Sequence, residues 1–328
     1  MKKFLLFLLG LFLLFNIALG ALAGYGWHLF TRPGPLAEDK VLILEKGQGL
    51  RSIATKLHSE GIIENELSFI FGVRLKEQQK RLKAGEFLFP AGLSPEEAMQ
   101  VIVSGKSISY SITIPEGLQS REIVALLNKE DKLVGDISGV LPQAVILPET
   151  YNFTRGDSRD QVISRMKAGM DQALEEVLKD FKPNDLIRNK NELLTLASIV
   201  EKETGKAEER PHVAGVFLNR LKKKMRLQSD PTVIYGITKG EEDLGRPIRK
   251  SDLKNENPYN TYVISGLPPG PICNPGLASI KAVLNPKETD DLYFVADGTG
   301  GHVFAKTLAE HNRNVRAWRK IERARKSN

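Results

Sequence analysis

The sequence predicts an α+β protein with an N-terminal transmembrane helix, a small module of order βααβ, and a larger mixed α+β domain. Three observations carry that expectation. An apolar run of about 20 residues stands behind two lysines at the start of the chain. Between residues 41 and 106, segments of period 2 and period 3.6 follow one another as strand, helix, helix, strand. From residue 107 on, amphipathic helical segments alternate with short strands and with loops rich in Pro and Gly.

Lys2 and Lys3 precede Phe4 to Ala23, a stretch interrupted only by Asn16 and two glycines. At ~1.5 Å per residue such a helix crosses a hydrocarbon core of ~30 Å. The two lysines hold the short end in the cytoplasm, so the chain beyond about Trp27 lies across the membrane. Residues 1–30 are therefore expected to be a cytoplasmic tip and signal anchor. That makes a single-pass protein of the cell (inner) membrane, with its C-terminal part on the periplasmic or extracytoplasmic side. A cleaved signal peptide competes, because Ala21-Leu22-Ala23 is a small-residue cleavage sequence, but the run exceeds the ~7–15 residues of a signal core. Thr31-Arg32-Pro33-Gly34-Pro35 opens a linker over residues 31–40, since Pro and Gly end the helix and keep the chain extended.

The 328 residues leave roughly 300 outside the membrane, enough for one large or two modest domains. Cys273 is the sole cysteine, which excludes an intramolecular disulfide. The five histidines show no HExxH spacing and no ligand cluster, so neither a metal nor any other cofactor is expected. A formal charge of +7 suits an acidic polymer or an anionic membrane surface, but the lysines are scattered apart from Lys222-Lys223-Lys224 and the tail. A solvated basic surface is the commoner outcome of such a pattern, and the compartment excludes nucleic acid.

Within residues 41–106, Val41 to Leu44 reads as a strand and Gly47-Gln48-Gly49 as a turn. Leu50 to His58 is a helix with Ile53, Ala54 and Leu57 on one face, and Leu67 to Leu75 is a second helix. Leu82 to Phe89 is the closing strand, and Ser94-Pro95-Glu96-Glu97 has the chemistry to start a further helix through Val103. The element order and the pattern GxxLRSIAxxL from Gly47 to Leu57 resemble a LysM module, a carbohydrate-binding fold. A polar joint, Ser104 to Ser107, places a domain boundary near residue 106, with the larger domain over residues 107–328.

In that domain Ser109 to Ile114 alternates as a strand, Pro115-Glu116-Gly117 turns the chain, and Ser120 to Asn128 is a helix. Leu147 to Tyr151 reads as irregular, and Asp160 to Leu178 as a long helix. Pro211 sits at the start of a helix whose buried stripe is Val213, Val216, Phe217 and Leu221. Arg226 to Gly236 reads as a turn leading to a strand; its amide, carboxylate, hydroxyl and aromatic groups are those polyol recognition needs. Pro258 to Tyr262 and Gly266 to Gly276 are loops stiffened by Pro and Gly. Leu292 to Ala296 and Val303 to Ala305 form a hairpin around Gly298-Thr299-Gly300-Gly301, and the last helix carries Leu308, His311, Val315 and Trp318 before a basic end, Arg319 to Asn328.

On a helical wheel begun at Leu193, the residues Leu193, Leu194, Leu196, Ala197, Ile199 and Val200 cover one broad arc, with Thr195, Ser198 and Lys202 opposite. Glu201 and Glu203 touch the two margins of the arc, ~160° apart, so they cannot flank one reacting bond as an adjacent acid and base pair. A carboxyl in apolar surroundings stays protonated near neutral pH and can donate to a glycosidic oxygen. The alternative is an acid satisfied by Arg210 or Arg220, or exposed beyond a fraying helix end. The wheel alone does not choose between the two glutamates.

The segments ASIVEKET, RLQSDPTVIYG, PYNTY and GLPPGPICNPG, in this order behind an N-terminal anchor, resemble the endolytic murein transglycosylase family, YceG-like proteins. The four segments run from about residue 195 to 276, and the rest of the chain follows the family's layout more loosely. The resemblance implies cleavage of the β-1,4 bond between MurNAc and GlcNAc in nascent peptidoglycan glycan strands, with a 1,6-anhydro end and no cofactor. It also implies contact with peptidoglycan synthases. By the same resemblance the first glutamate of the SIVEKE segment, Glu201, is the catalytic acid and later base. Gln228, Asp230, Thr232, Tyr235, Asn260 and Asn274 are expected to orient substrate or to support the groups that do. A non-catalytic glycan-binding scaffold and a muramidase that uses water are the rival expectations.

Overall fold

The computed structural model describes residues 2–179 and 181–326. Its architecture is mixed α+β with a long apolar N-terminal helix, as expected. The chain packs as two compact units. One holds the residues up to Tyr110 together with Asn152–Gly156; the other holds Ser111–Tyr151 and the residues from Asp157 on.

In the first unit, α1 (Lys2–Thr31) is long and apolar enough to cross a membrane. It is followed by β1 (Lys40–Leu44), α2 (Leu50–Ser59), α3 (Glu66–Leu75), β2 (Gly85–Phe89) and α4 (Pro95–Ser104). The two strands pair antiparallel, from Lys40 opposite Phe89 to Leu44 opposite Gly85. The second strand thus starts at Gly85, where its partner ends, and not at Leu82. Helix α3 is capped by the Asn65 side chain, which accepts from Ser68 N–H, and α4 by a Ser94–Glu97 capping box with Pro95 at its start.

Residues 31–40 do more than link. The prolines end α1, but Gly34 N–H donates to Leu93 O, Gly92 N–H to Leu36 O, and Ala91 N–H to the Asp39 carboxylate. A Cβ on Gly34 would stand 2.5 Å from Leu93 O, so only glycine lets the backbones approach this closely. Phe30, in the last turn of α1, is fully buried with Leu44, Phe69, Val73, Phe87 and Phe89. Its ring lies on Gly72, where any side chain would collide with it. The end of the apolar helix is therefore part of the core of this unit.

β3 (Ser109–Thr113) pairs with β4 (Thr150–Thr154), and the boundary between the units runs through both strands. Thr150 and Tyr151, the end of the segment expected to be irregular, open β4. Its run Thr-Tyr-Asn-Phe-Thr alternates exposed and covered residues, with Phe153 buried, and this overrides the Pro148 that precedes it. Between the two strands lies α5 (Ser120–Lys129), and after them α6 (Arg159–Val177).

Helices α6, α7 (Lys190–Glu203), α8 (Arg210–Lys222) and α10 (Leu277–Leu284) supply most of the buried core of the second unit, and α9 (Asp230–Thr238) packs Tyr235 against it. The hairpin β5 (Tyr293–Ala296) and β6 (His302–Ala305) pairs antiparallel, and α11 (Leu308–Lys326) follows it. The last two residues of the expected basic end, 327–328, lie outside the described residues. α9 replaces the expected strand. Pro231 fits the first helical turn, where no amide partner is needed, and the β-branched Thr232 turns its hydroxyl back to Ser229 O at 2.6 Å.

Because Phe30 is a core residue, Phe30→Ala should cost about 3–5 kcal/mol of stability in a denaturant titration of the detergent-solubilised full chain. A change under about 0.5 kcal/mol would mean that the helix end is a free linker after all.

Candidate active site

Helix α7 starts at Asn189, whose side chain caps Glu192 N–H, and from Leu193 to Val200 every residue is buried. Thr195 and Ser198, on the expected polar face, are buried too. Thr195 Oγ1 donates to Asn191 O, while Ser198 Oγ donates to Thr195 O and accepts from Ile272 N–H at 3.0 Å. The loop from Gly266 to Gly276 thus covers α7 at Ser198, opposite the apolar arc, while Lys202 on that side is exposed. Cys273, on that loop, is fully buried and donates to Ser198 O; burial raises its thiol far above the ordinary range, so it is no nucleophile.

The helix ends in two carboxylates with different surroundings. Glu201 Oε1 accepts from Arg210 Nη2 at 2.9 Å, and Glu201 Oε2 accepts from Gly276 N–H at 2.9 Å. The same Arg210 nitrogen reaches Glu116 Oε2 at 2.6 Å. Of the two arginines expected as partners for a satisfied carboxylate, Arg210 and not Arg220 reaches Glu201. The Glu116 carboxyl lies against Gly276, in the space a Cβ there would occupy, so a side chain at 276 would displace it. Glu201, Arg210, Glu116 and Gly276 form a knot joining α7, the start of α8, the turn at Pro115-Glu116-Gly117 and the Gly266–Gly276 loop.

Glu203 is half-buried and shares no partner with Glu201. Its Oε1 accepts from Ser229 Oγ at 2.5 Å, and Oε2 has no hydrogen-bond partner among the described residues. Burial pushes the Glu203 carboxyl up to about 7, against the opposing pull of the Ser229 hydroxyl; the charge of Asp230 adds to the rise, and His302 and Arg220 oppose it. Asp230 is exposed at the start of α9 and accepts from Tyr262 Oη at 2.7 Å.

Ser229 is held from below. Its N–H donates to Thr261 Oγ1 at 2.9 Å, and the Thr232 and Thr261 hydroxyls bond each other at 2.8 Å. Gln228 beside it has φ +52°, in the left-handed region, and donates its N–H to Thr261 O while its side chain stays exposed. Gln228 and Asp230 are thus the expected residues that flank Glu203 and face solvent.

Thr232, Asn260 and Asn274 do not face solvent. Thr232 is fully buried in the hydroxyl network. Asn260 gives its amide to the carbonyls of Asp252, Leu253 and Asn255 and accepts from Tyr262 N–H. Asn274 donates to Leu118 O and Ser120 Oγ and accepts from Ile146 N–H. Each asparagine fastens a loop, because a buried amide must find backbone partners; neither can touch a ligand. Tyr235 is half-buried against Tyr259, with ring centroids 4.8 Å apart.

Ser229, Thr261 and Tyr262 were inside recognised segments but carried no expected role, and Glu116 stood in what read as a plain turn. No spacing in the sequence reveals that Ser229 reaches Glu203, 26 residues away.

The profile of the YceG-like family matches residues 42–317. The chain is 33% identical over 302 residues to a Bacillus subtilis protein named endolytic murein transglycosylase, covering 82% of each. It is 31% identical over 323 residues to a Streptococcus pneumoniae protein of the same name, covering 83% of this chain and 57% of that protein's length. A crystal structure of a YceG-like protein from Listeria monocytogenes shares 30% identity, with a TM-score of 0.48 over 84% of this chain and 99% of that one.

A carboxyl raised from 4.5 to about 7 keeps its proton in the folded chain and loses it in the unfolded one within that window. The stability tied to protonated Glu203 is complete below about pH 4.5 and falls as pH rises towards 7. Glu203→Gln retains an acceptor for Ser229 but does not titrate. Melting temperatures across this range should therefore coincide for parent and variant at the acid end, with the parent dropping below the variant as pH rises.

Proposed function

The chain belongs to the YceG-like family, and from that membership we propose that it is an endolytic murein transglycosylase. It cuts peptidoglycan glycan strands internally at the β-1,4 bond between MurNAc and GlcNAc and leaves a 1,6-anhydro end. One observation carries the reading: Glu203 is half-buried, with one oxygen held by Ser229, and burial pushes its carboxyl up to about 7, so a share of it carries a proton near neutral pH and can give it away.

In this mechanism Glu203 donates its proton to the glycosidic oxygen as the bond to C1 of MurNAc breaks. The carboxylate then takes the proton of the C6 hydroxyl, whose oxygen closes on C1. The acid is regenerated and no water is consumed. Ser229 keeps the carboxyl oriented, and Gln228 and Asp230 stand where they can meet sugar hydroxyls.

The resemblance puts the acid role at Glu201; the reading proposed here assigns it to Glu203. Each Glu201 oxygen already accepts one bond, from Arg210 and from Gly276 N–H, whereas Glu203 Oε2 accepts none among the described residues. Glu201 is assigned instead to fix the loop beside the site.

The arrangement along the chain follows the same reading. Residues 1–30 anchor the protein in the cytoplasmic (inner) membrane, and residues 41–106 form a LysM-like module suited to glycan. Residues 107–328 catalyse outside the cytoplasm, where new strands emerge among peptidoglycan synthases. Limiting strand length is the role this serves.

Asp230 beside Glu203 supports one second reading, a muramidase, because two carboxyls flanking a bond can activate water. Digestion of uncrosslinked glycan strands by the full chain, followed by mass spectrometry, separates the cases. Anhydro-ended fragments are expected, with Glu203→Gln slower by about 10²–10⁴ and the parent rate falling as pH rises through about 7. Fragments one water heavier would identify the muramidase, and strands left intact by the parent would leave a glycan-binding scaffold. Loss of activity in folded Glu201→Gln alone, with Glu203→Gln active, would return the acid role to Glu201.

A further inference from the structure

We propose that α3 lies against the membrane that α1 crosses, with Leu67, Phe71 and Leu75 in the lipid of the outer leaflet. The inference rests on reading α1 as a membrane anchor. Leu67, Phe71 and Leu75 recur every four residues and so share one face of α3, and they are 73%, 37% and 58% exposed. The opposite face is the structural one: Phe69 and Val73 are fully buried, and Gly72 lies on the Phe30 ring. An apolar stripe on a short helix that already has a packed face needs a second apolar neighbour.

The neighbour is given by continuity with α1. Leu67 and Phe71 line one groove with Leu19, Leu22, Tyr25 and Leu29, and a Cβ on Gly26 would touch the Phe71 ring at 3.6 Å. If hydrocarbon ends near Ala23, Gly26 stands ~4.5 Å beyond it, inside a headgroup layer of ~5–7 Å. Tyr25 and Trp27 are then at the depth where amphipathic rings settle. Arg74, next to Phe71 and Leu75, is exposed and makes no ion pair among the described residues, so it is free for a lipid phosphate. Lys76 reaches Glu96 and lies 5.6 Å from the Trp27 ring.

A second exposed apolar patch, Val41, Ile43 and Leu88 on the outer face of β1 and β2, has no such continuity with α1 and serves as a control.

The test uses the full chain in phospholipid nanodiscs with an environment-sensitive fluorophore on Leu67→Cys, Leu75→Cys, Val41→Cys or Leu13→Cys. Cys273 is fully buried and does not take the label. Nitroxide-bearing lipid should quench positions 67 and 75 at least about two-fold more than position 41, and aqueous iodide should quench them less. Iodide quenching at 67 and 75 equal to that at 41 would overturn the inference. Shielding from both quenchers would overturn it too, since protein and not lipid would then cover the stripe. Position 13 is the check on the anchor: if lipid nitroxide fails to quench it, the anchor reading falls and takes this inference with it. Quenching at 13 alone sinks only the inference.

Discussion

Everything at the site depends on α7 being surrounded. A helix with one polar face would let its terminal carboxylates turn to water. Here the loop carrying Ile272 and Cys273 binds the Ser198 side of the helix, so from Leu193 to Val200 no face is left free. Both glutamates at its end must then be accommodated by protein groups. The two solutions differ. Glu201 receives a guanidinium and a backbone amide, and Glu203 receives a single hydroxyl.

In the proposed reading, that asymmetry separates the glutamate that holds the loop from the one that gives the proton. The Glu201 knot joins elements far apart in sequence: residues 94 positions apart meet in the Glu116–Arg210 contact, and 75 apart in the Glu201–Gly276 contact. Removing one partner of such a pair leaves a buried charge uncompensated, a cost of about 3–5 kcal/mol in comparable cases. A group so committed is a poor candidate to shuttle protons. Glu203 has the opposite balance, since burial disfavours its charge and the one hydroxyl only partly offsets this.

The broad architecture was legible because it rests on patterns that act locally. The apolar run of α1, the order of β1, α2, α3 and β2, and the hairpin around Gly298–Gly301 each follow from period and turn chemistry. Legibility failed where a long-range partner decided. Ser198 read as lying opposite the apolar arc because the loop that binds it lies more than 70 residues away. Asn260 and Asn274 were expected to orient substrate or to support the groups that do, and nothing in the sequence says which; their amides fasten backbone carbonyls. Arg226 to Gly236 read as a turn leading to a strand; Thr232, whose hydroxyl bonds Ser229 O, and the buried Val233 lie instead in a helix. Glu201 and Glu203 were both visible as candidates, and periodicity had no means of telling which one Arg210 would take.

A proposed general acid that is poorly compensated has to be tolerated by the rest of the fold. Near neutral pH, deprotonated Glu203 would lie in a place that disfavours charge, and nothing local relieves it except Ser229 and the more distant Arg220 and His302. Strengthening that relief, for instance by a cation at the Ser229 position, would stabilise the folded chain above pH 7 and lower the pKa on which proton donation depends. The neighbourhood instead contains Asp230, which works in the other direction, and its carboxylate is held in place by Tyr262. The firm attachments are concentrated one turn away, in the Glu201 knot and the Thr232–Thr261 hydroxyl pair, so the weakly satisfied carboxyl sits on a rigid frame. That is the arrangement an acid with a raised pKa requires: geometry fixed by its neighbours, and protonation left to its own surroundings.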